Sequence, residues 1–295
     1  MKNVSSIPFN FGGLEPAYAA YEGSNVVIVP VPYEATTSFR AGTKDGPLAI
    51  IKASRGLELY DDEIRAEPYS IGIHTLDELD LSMVSVEYPH AQLEELIEAL
   101  IQDGKFPIVL GGEHSISLGP VRAFRNHFPD LTVLQLDAHA DMRDTFQGTP
   151  FSHACIARRI SEICPIVQVG IRSMSLEEGE FLQQGQGENV LSAADLVSGR
   201  RSFAEFLAKL SDNVYITVDI DVFDPAEMPA VGTPQPGGVS WYQVLDILRA
   251  VFDSRNVVGF DLVELCPIPG NITPDFLAAK LVYKMIGRKF ADMIE

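Results

Sequence analysis

Short apolar runs alternate with amphipathic stretches along most of the chain. "NVVIVPVPY" from Asn25, "PIVLGG" from Pro107, "LTVLQLDAH" from Leu131, "PIVQVGIR" from Pro165, "NVYITVDIDVF" from Asn213 and "VVGFDLVEL" from Val257 are rich in Val and Ile. They are apolar at nearly every position, as strands covered on both faces are, rather than alternating with a period of two. "YSIGIHTL" is a further strand candidate. Between these runs, "HAQLEELIEALIQDG" places Leu93, Ile97 and Leu100 at helical spacing and stops at Gly104. "SISLGPVRAFRNHF", "HACIARRISEI", "SFAEFLAKL" and "SWYQVLDILRAVF" read similarly, and a last helix begins near Asp275. Repeated strand–helix alternation predicts a three-layer α/β/α fold around a mainly parallel sheet. With no linker, low-complexity tract or internal repeat, residues 1–295 read as a single domain.

Composition narrows the partners. The net charge of −19 argues against nucleic acid or an anionic membrane and suits a small cationic substrate. The cysteines Cys155, Cys164 and Cys266 are odd in number and form no Cys-x-x-Cys, which favours a reducing, cytoplasmic setting. "MKNVSSIPFNFGG" lacks the apolar core of a signal peptide, and no apolar run approaches the roughly 20 residues that span a bilayer.

The chemistry collects where the strands end. In open parallel sheets, sites form beyond the carboxyl ends of the strands. His114 follows "PIVLGG"; Asp137, His139 and Asp141 follow "LTVLQL"; Asp219 and Asp221 follow "VYITV"; Glu264 follows "VVGFDLV". Residues two apart in extended chain face the same side, so the triplet and the pair can each converge. Carboxylates at strand ends also cap helices or form ion pairs. Gathering so many without cations is costly, however, because like charges raise one another's pKa. A pair of divalent metals removes the conflict. His114, Asp137, His139, Asp141, Asp219 and Asp221 make an oxygen-dominated set without thiolate, which suits Mn²⁺ better than a structural zinc. His74, His90 and His127 match no ligand spacing and read as surface or packing residues. Arg143 and Asp144 read as an ion pair.

At these motifs the chain resembles the ureohydrolases, the family of arginase and agmatinase, and the agmatinase branch most closely. "GGEHSISLG", "LDAHADMRD", "FSHACIARR", "VDIDVFDPAEMPAVGTPQPGG" and "GFDLVELCPIPGNITPDFLAAKL" carry the resemblance, with "TTSFRAGTKDGPLAI" near the start. The resemblance implies an arginase-like fold and two Mn²⁺ per chain. On that pattern Asp137 and Asp219 bridge the ions, His114 and Asp141 complete one coordination sphere, and His139 and Asp221 the other. Glu113, where many arginases have Asp, is not an expected ligand. The resemblance further implies that Glu264 anchors the guanidinium, that Asp141 orients the nucleophile and that His153 shuttles the proton. It also implies a homo-oligomer, a trimer or hexamer. Urea and an amine are the expected products. The loop "MRDTFQGTPFSH" matches agmatinases rather than the carboxylate-binding Asn and Ser of arginases, so agmatine, giving putrescine, is the expected substrate. Guanidinobutyrate or arginine hydrolysis, a one-zinc amide hydrolase of related fold, and an inactive metal-binding relative are the alternatives.

Overall fold

The computed structural model describes residues 7–81 and 85–294. Its strands are β1 (Val26–Val31), β2 (Ile73–Thr75), β3 (Phe106–Gly111), β4 (Thr132–Leu136), β5 (Ile166–Ile171), β6 (Val190–Ser192), β7 (Asn213–Asp219) and β8 (Asn256–Val263). All pair in parallel in one eight-stranded sheet of order β2-β1-β3-β8-β7-β4-β5-β6.

The unbroken apolar runs are explained by what covers them. Alternate strand side chains point to opposite faces. Val26 and Ile28 of β1, Ile108 of β3 and Leu134 of β4 pack with Ile50, Leu248 and Val282 from helices Gly46–Ser54, Trp241–Phe252 and Thr273–Lys289. Val27, Val29, Val109 and Val133 pack on the other face with Leu93, Val121 and Ile160, from helices Tyr88–Gln102, Leu118–His127 and Ile156–Ser161. Every position of β1, β3, β4 and β5 is buried. The result is the three-layer α/β/α arrangement that the alternation predicts.

Local signals set several helix ends. "SWYQ" is a capping box, in which the Ser240 hydroxyl accepts from Gln243 N–H and the Gln243 side chain accepts from Ser240 N–H. Gly104, at φ +71°, takes the left-handed conformation just beyond the helix that ends at Gln102. Three differences from the sequence reading stand out. The helical pattern "SFAEFLAKL" yields only Ala204–Leu207 as helix. The last helix starts at Thr273, with Pro274 in its first turn, where a missing N–H costs nothing. Edge strand β6 was not foreseen, because its three residues include one buried apolar side chain, Leu191. Among the described residues no helix is long and apolar enough to cross a membrane.

Candidate active site

The four strands whose ends carry titratable residues, β3, β8, β7 and β4, are adjacent at the centre of the sheet. Their carboxyl ends therefore form one basin. His114 opens a short 3₁₀ turn after β3, Asp219 ends β7, Asp221 lies in the next turn, and Glu264 directly follows β8.

His114 Nδ1 lies 3.1 Å from Asp137 Oδ2, 3.4 Å from Asp219 Oδ2 and 3.5 Å from Asp141 Oδ2. His139 Nδ1 lies 2.8 Å from Asp221 Oδ2 and 3.7 Å from Asp137 Oδ1. Two overlapping groups emerge, His114–Asp137–Asp219 and Asp137–His139–Asp221, each with potential ligand atoms within 4.8 Å of one another and Asp137 common to both. Asp141 belongs to neither group but faces His114. Backbone amides brace the carboxylates: His139 N–H donates to Asp137 Oδ1, Ala138 N–H to Asp221 Oδ1 and Asp221 N–H to Asp219 Oδ1.

The electrostatics are those of a cation trap. Burial, and then Asp137, pushes the Asp141 carboxyl up to about 7. Burial also lifts Asp219 well above the carboxylate range, with Asp221 and Asp137 adding to it. Against the effect of burial, the surrounding carboxylates of Asp137, Asp141 and Asp219 hold protonated His114 well above its ordinary value. Asp137 goes the other way, held against the effect of burial below the carboxylate range by His114 and His139, so the basin gathers negative charge that a divalent ion would answer.

The donor set fits such an ion. Thr217 Oγ1 donates to Asp261 Oδ1 at 2.6 Å, so it accepts from His114 Nε2 at 2.8 Å. The proton of the neutral ring is thereby fixed on Nε2. Its bare Nδ1 is buried among carboxylates with no hydrogen-bond partner. Metal-ligating histidines are commonly oriented by a partner on their second ring nitrogen, the place Thr217 takes here with Asp261 behind it. A second buried chain runs from Gln168 Nε2 to Gln135 Oε1 at 2.9 Å and from Gln135 Nε2 to Asp137 Oδ2 at 2.7 Å. Arg172 donates to the carbonyls of Gly170, Asp221, Val222, Phe223 and Gln235, stiffening the far wall beside the acidic cluster.

These supporting residues were missed in the sequence. Their signal was present: Gln135, Gln168, Thr217 and Asp261 are polar interruptions of otherwise apolar strand runs, and buried polar groups need partners.

Glu264 lies beside this cluster. Burial raises its carboxyl to about 8, and its Oε1 accepts from His114 N–H at 2.7 Å. Glu264 (φ +66°) and Asp141 (φ +50°) both take backbone conformations that L-residues rarely adopt. Each such residue costs on the order of 1–3 kcal/mol and is kept where surrounding structure demands it. Here the Glu264 N–H donates to Gly112 O, and the Asp141 carbonyl accepts from Arg158 N–H. His153 lines the same pocket as Asp141, Asp219 and Glu264. Burial pushes its imidazole below the ordinary value, so it is neutral at physiological pH.

The Arg143–Asp144 pair does not form. Asp144 bonds Arg159 at 3.0 Å, whereas Arg143 Nε lies 3.7 Å from Glu178 Oε2 and stacks over Phe146. Neighbours in extended chain point to opposite sides, so Arg143 turns into the pocket mouth and Asp144 away from it. His74 bonds the Ala19 carbonyl, His127 pairs with Glu98, and His90 is buried against the rings of Tyr33 and Phe151.

Comparison with known proteins agrees with this geometry. Over 279 residues the chain is 39% identical to N(1)-aminopropylagmatine ureohydrolase of Synechocystis sp., covering 92% of this chain and 91% of that protein. It is 34% identical to agmatinase of Bacillus anthracis, covering 92% and 93%. The crystal structure of agmatine ureohydrolase of Thermoplasma volcanium superposes with a TM-score of 0.86 at 32% identity, covering 97% of this chain and 96% of that one. The model of the arginase family matches residues 24–287. Those residues span the sheet and the whole basin at its centre, and the chain belongs to the arginase family, as a hydrolase of guanidino carbon–nitrogen bonds.

Proposed function

We propose that this protein hydrolyses agmatine to urea and putrescine with two Mn²⁺, held by His114, Asp137, His139, Asp141, Asp219 and Asp221. The observation that carries the metal reading is the bare, buried Nδ1 of His114 amid three carboxylates. Paired divalent ions supply an ionised water at neutral pH and charge stabilisation at the reacting carbon. Asp141 accepts a hydrogen bond from the attacking water and orients it. Glu264 receives the guanidinium: Oε1 accepts from His114 N–H, and the side chain lines the pocket. Attack yields a tetrahedral carbon; neutral His153 takes up the proton that the attacking water gives up, through solvent, and passes it to the departing amine.

The mouth of the pocket supports a substrate with a cationic rather than anionic tail. Arg143 is engaged by Glu178, and Arg40 donates to the Pro267 carbonyl at 3.1 Å. Glu178 partly offsets the charge of Arg143 and lines the same mouth, which favours a cationic tail over a carboxylate. Phe39, Phe146 and Met174 offer apolar surface to a methylene chain. A second reading, N(1)-aminopropylagmatine, is favoured by the 39% identity to the Synechocystis enzyme, against 34% to the Bacillus agmatinase.

The test is kcat/KM for agmatine, N(1)-aminopropylagmatine, arginine and guanidinobutyrate under identical Mn²⁺. Preference for either amine-tailed guanidine by tenfold or more is expected. Preference for an acid sinks the tail argument, and activity undiminished by removing all divalent metal sinks the metal reading.

A further inference from the structure

A third buried hydrogen-bond chain lies outside the acidic cluster. Glu113, fully buried, receives four donors: Ala35 N–H and Thr36 N–H at 2.6 Å each, the Thr36 hydroxyl at 2.7 Å and the Ser115 hydroxyl at 2.5 Å. A carboxylate offers acceptors only, so the Thr36 proton is committed to it. The Thr36 oxygen is then left to accept. It accepts from His153 N–H at 3.1 Å, and His153 Nδ1 stands 3.1 Å from it as well.

We infer that Glu113, acting through Thr36, fixes the proton of neutral His153 on Nδ1 and thereby turns a bare Nε2 toward the pocket. With its proton spent on Glu113, Thr36 cannot donate to Nδ1, and only a protonated Nδ1 satisfies the contact. Nδ1 also lies 3.3 Å from the Ser152 hydroxyl. Ser152 accepts from Ala154 N–H at 3.3 Å and keeps a rotatable proton, so it is the one hydroxyl at Nδ1 free to support the opposite tautomer. Geometry favours Thr36, which is nearer and pinned through two atoms. Glu113 and Thr36 are positioning residues: neither touches the reacting atoms, and both act through His153. The arrangement mirrors that of His114, where Asp261 acts through Thr217, but it selects the other ring nitrogen. One imidazole thus presents Nδ1 to the acidic cluster, and the other presents Nε2 for proton exchange.

This deepens the proposed function and rests on His153 being the group that protonates the departing amine. Two-bond ¹H–¹⁵N correlation spectra of histidine-labelled protein loaded with diamagnetic Zn²⁺ read the tautomer without reference to turnover. The Nδ1–H pattern is expected for His153 in the native protein, in Thr36→Ser and in Ser152→Ala. Thr36→Val should gain the Nε2–H form, because Ser152 is then the remaining hydroxyl. With Mn²⁺ and agmatine, Thr36→Val should lose 10- to 100-fold in kcat, keep KM within about twofold and be rescued by Thr36→Ser. An Nε2–H tautomer in the native protein, or in Ser152→Ala, overturns the inference. So does a Thr36→Val protein with unchanged tautomer and kcat. If Thr36→Val fails to fold, the native and Ser152→Ala spectra still decide. Absence of urea release from every guanidine, with the Nδ1–H pattern intact, would instead count against the functional reading alone.

Discussion

His114 and His90 are equally buried, each 1% exposed, yet their surroundings drive them in opposite directions. Around His114, carboxylates of Asp137, Asp141 and Asp219 overcome the effect of burial and hold the protonated ring well above its ordinary value. Around His90 the neighbours are the rings of Tyr33 and Phe151; burial, aided by the charge of Arg122, pushes it from 6.5 down to about 4. Both of its ring nitrogens lack hydrogen-bond partners. Burial sets how much ionisation matters, and the neighbours set its sign. One region is built to attract cations, and the other excludes even a proton.

The strongest way to break this comparison is to remove a carboxylate from the first region. On the proposed two-ion reading, Asp219→Ala should lose at least one metal and about a thousandfold or more in turnover, since the nucleophile would be shared between both ions. Elemental analysis and urea release check it, and two retained metals with full activity would falsify the site.

The second region predicts an acid-labile contribution to stability. His90 is neutral in the native state, and its folded pKa lies below the unfolded one. Its contribution is therefore complete above pH 6.5 and is lost as pH falls toward 4. A shift of that size corresponds to about 3 kcal/mol. His90→Gln removes the titration, so the stability gap between native and variant protein, from urea unfolding of metal-free samples, should narrow by about that amount between pH 7 and pH 4. A gap independent of pH contradicts the assignment.

A subtler change sharpens the first region. Thr217→Val leaves every proposed ligand in place but cuts His114 from Asp261, and metal affinity should fall 10- to 100-fold. Competition with a chelating dye measures this, and unchanged affinity means that the ring is held by packing alone. The smallest effect belongs to a pair outside both regions. Arg249→Ala breaks an exposed contact with Asp246 and should shift stability by less than about 0.5 kcal/mol, giving the baseline for the others in the same unfolding assay. A loss above about 1 kcal/mol would mean that Arg249 has a structural role the exposed pair does not reveal.

The strands and the residues at their ends were legible because both signals are local: an apolar run, then Asp, His or Glu. The supporting residues were not, because their meaning is a contact across the chain. His114 meets Thr217 across 103 positions, and Thr36 meets His153 across 117. Asp261 read as part of a strand, since nothing in "VGFDLV" tells that Tyr215 and Thr217 stand opposite with hydroxyls to give. Arg143 misled for a related reason: proximity in sequence suggested Asp144, while the capping box around Glu178 supplied the nearer carboxylate in space.

The place of β8 in the sheet bears on how the molecule is made. It is the last strand in sequence, yet it sits between β3 and β7. Until it is synthesised, β2-β1-β3 and β7-β4-β5-β6 share no edge, and the two halves of the basin have no common frame. Growth on the ribosome must then hold two partial sheets with open central edges, which only the final stretch of chain can join. The basin at the centre of the sheet is complete only once β8 is in place, and a chain cut short before Asn256 should expose those edges and aggregate rather than persist as a weakened enzyme.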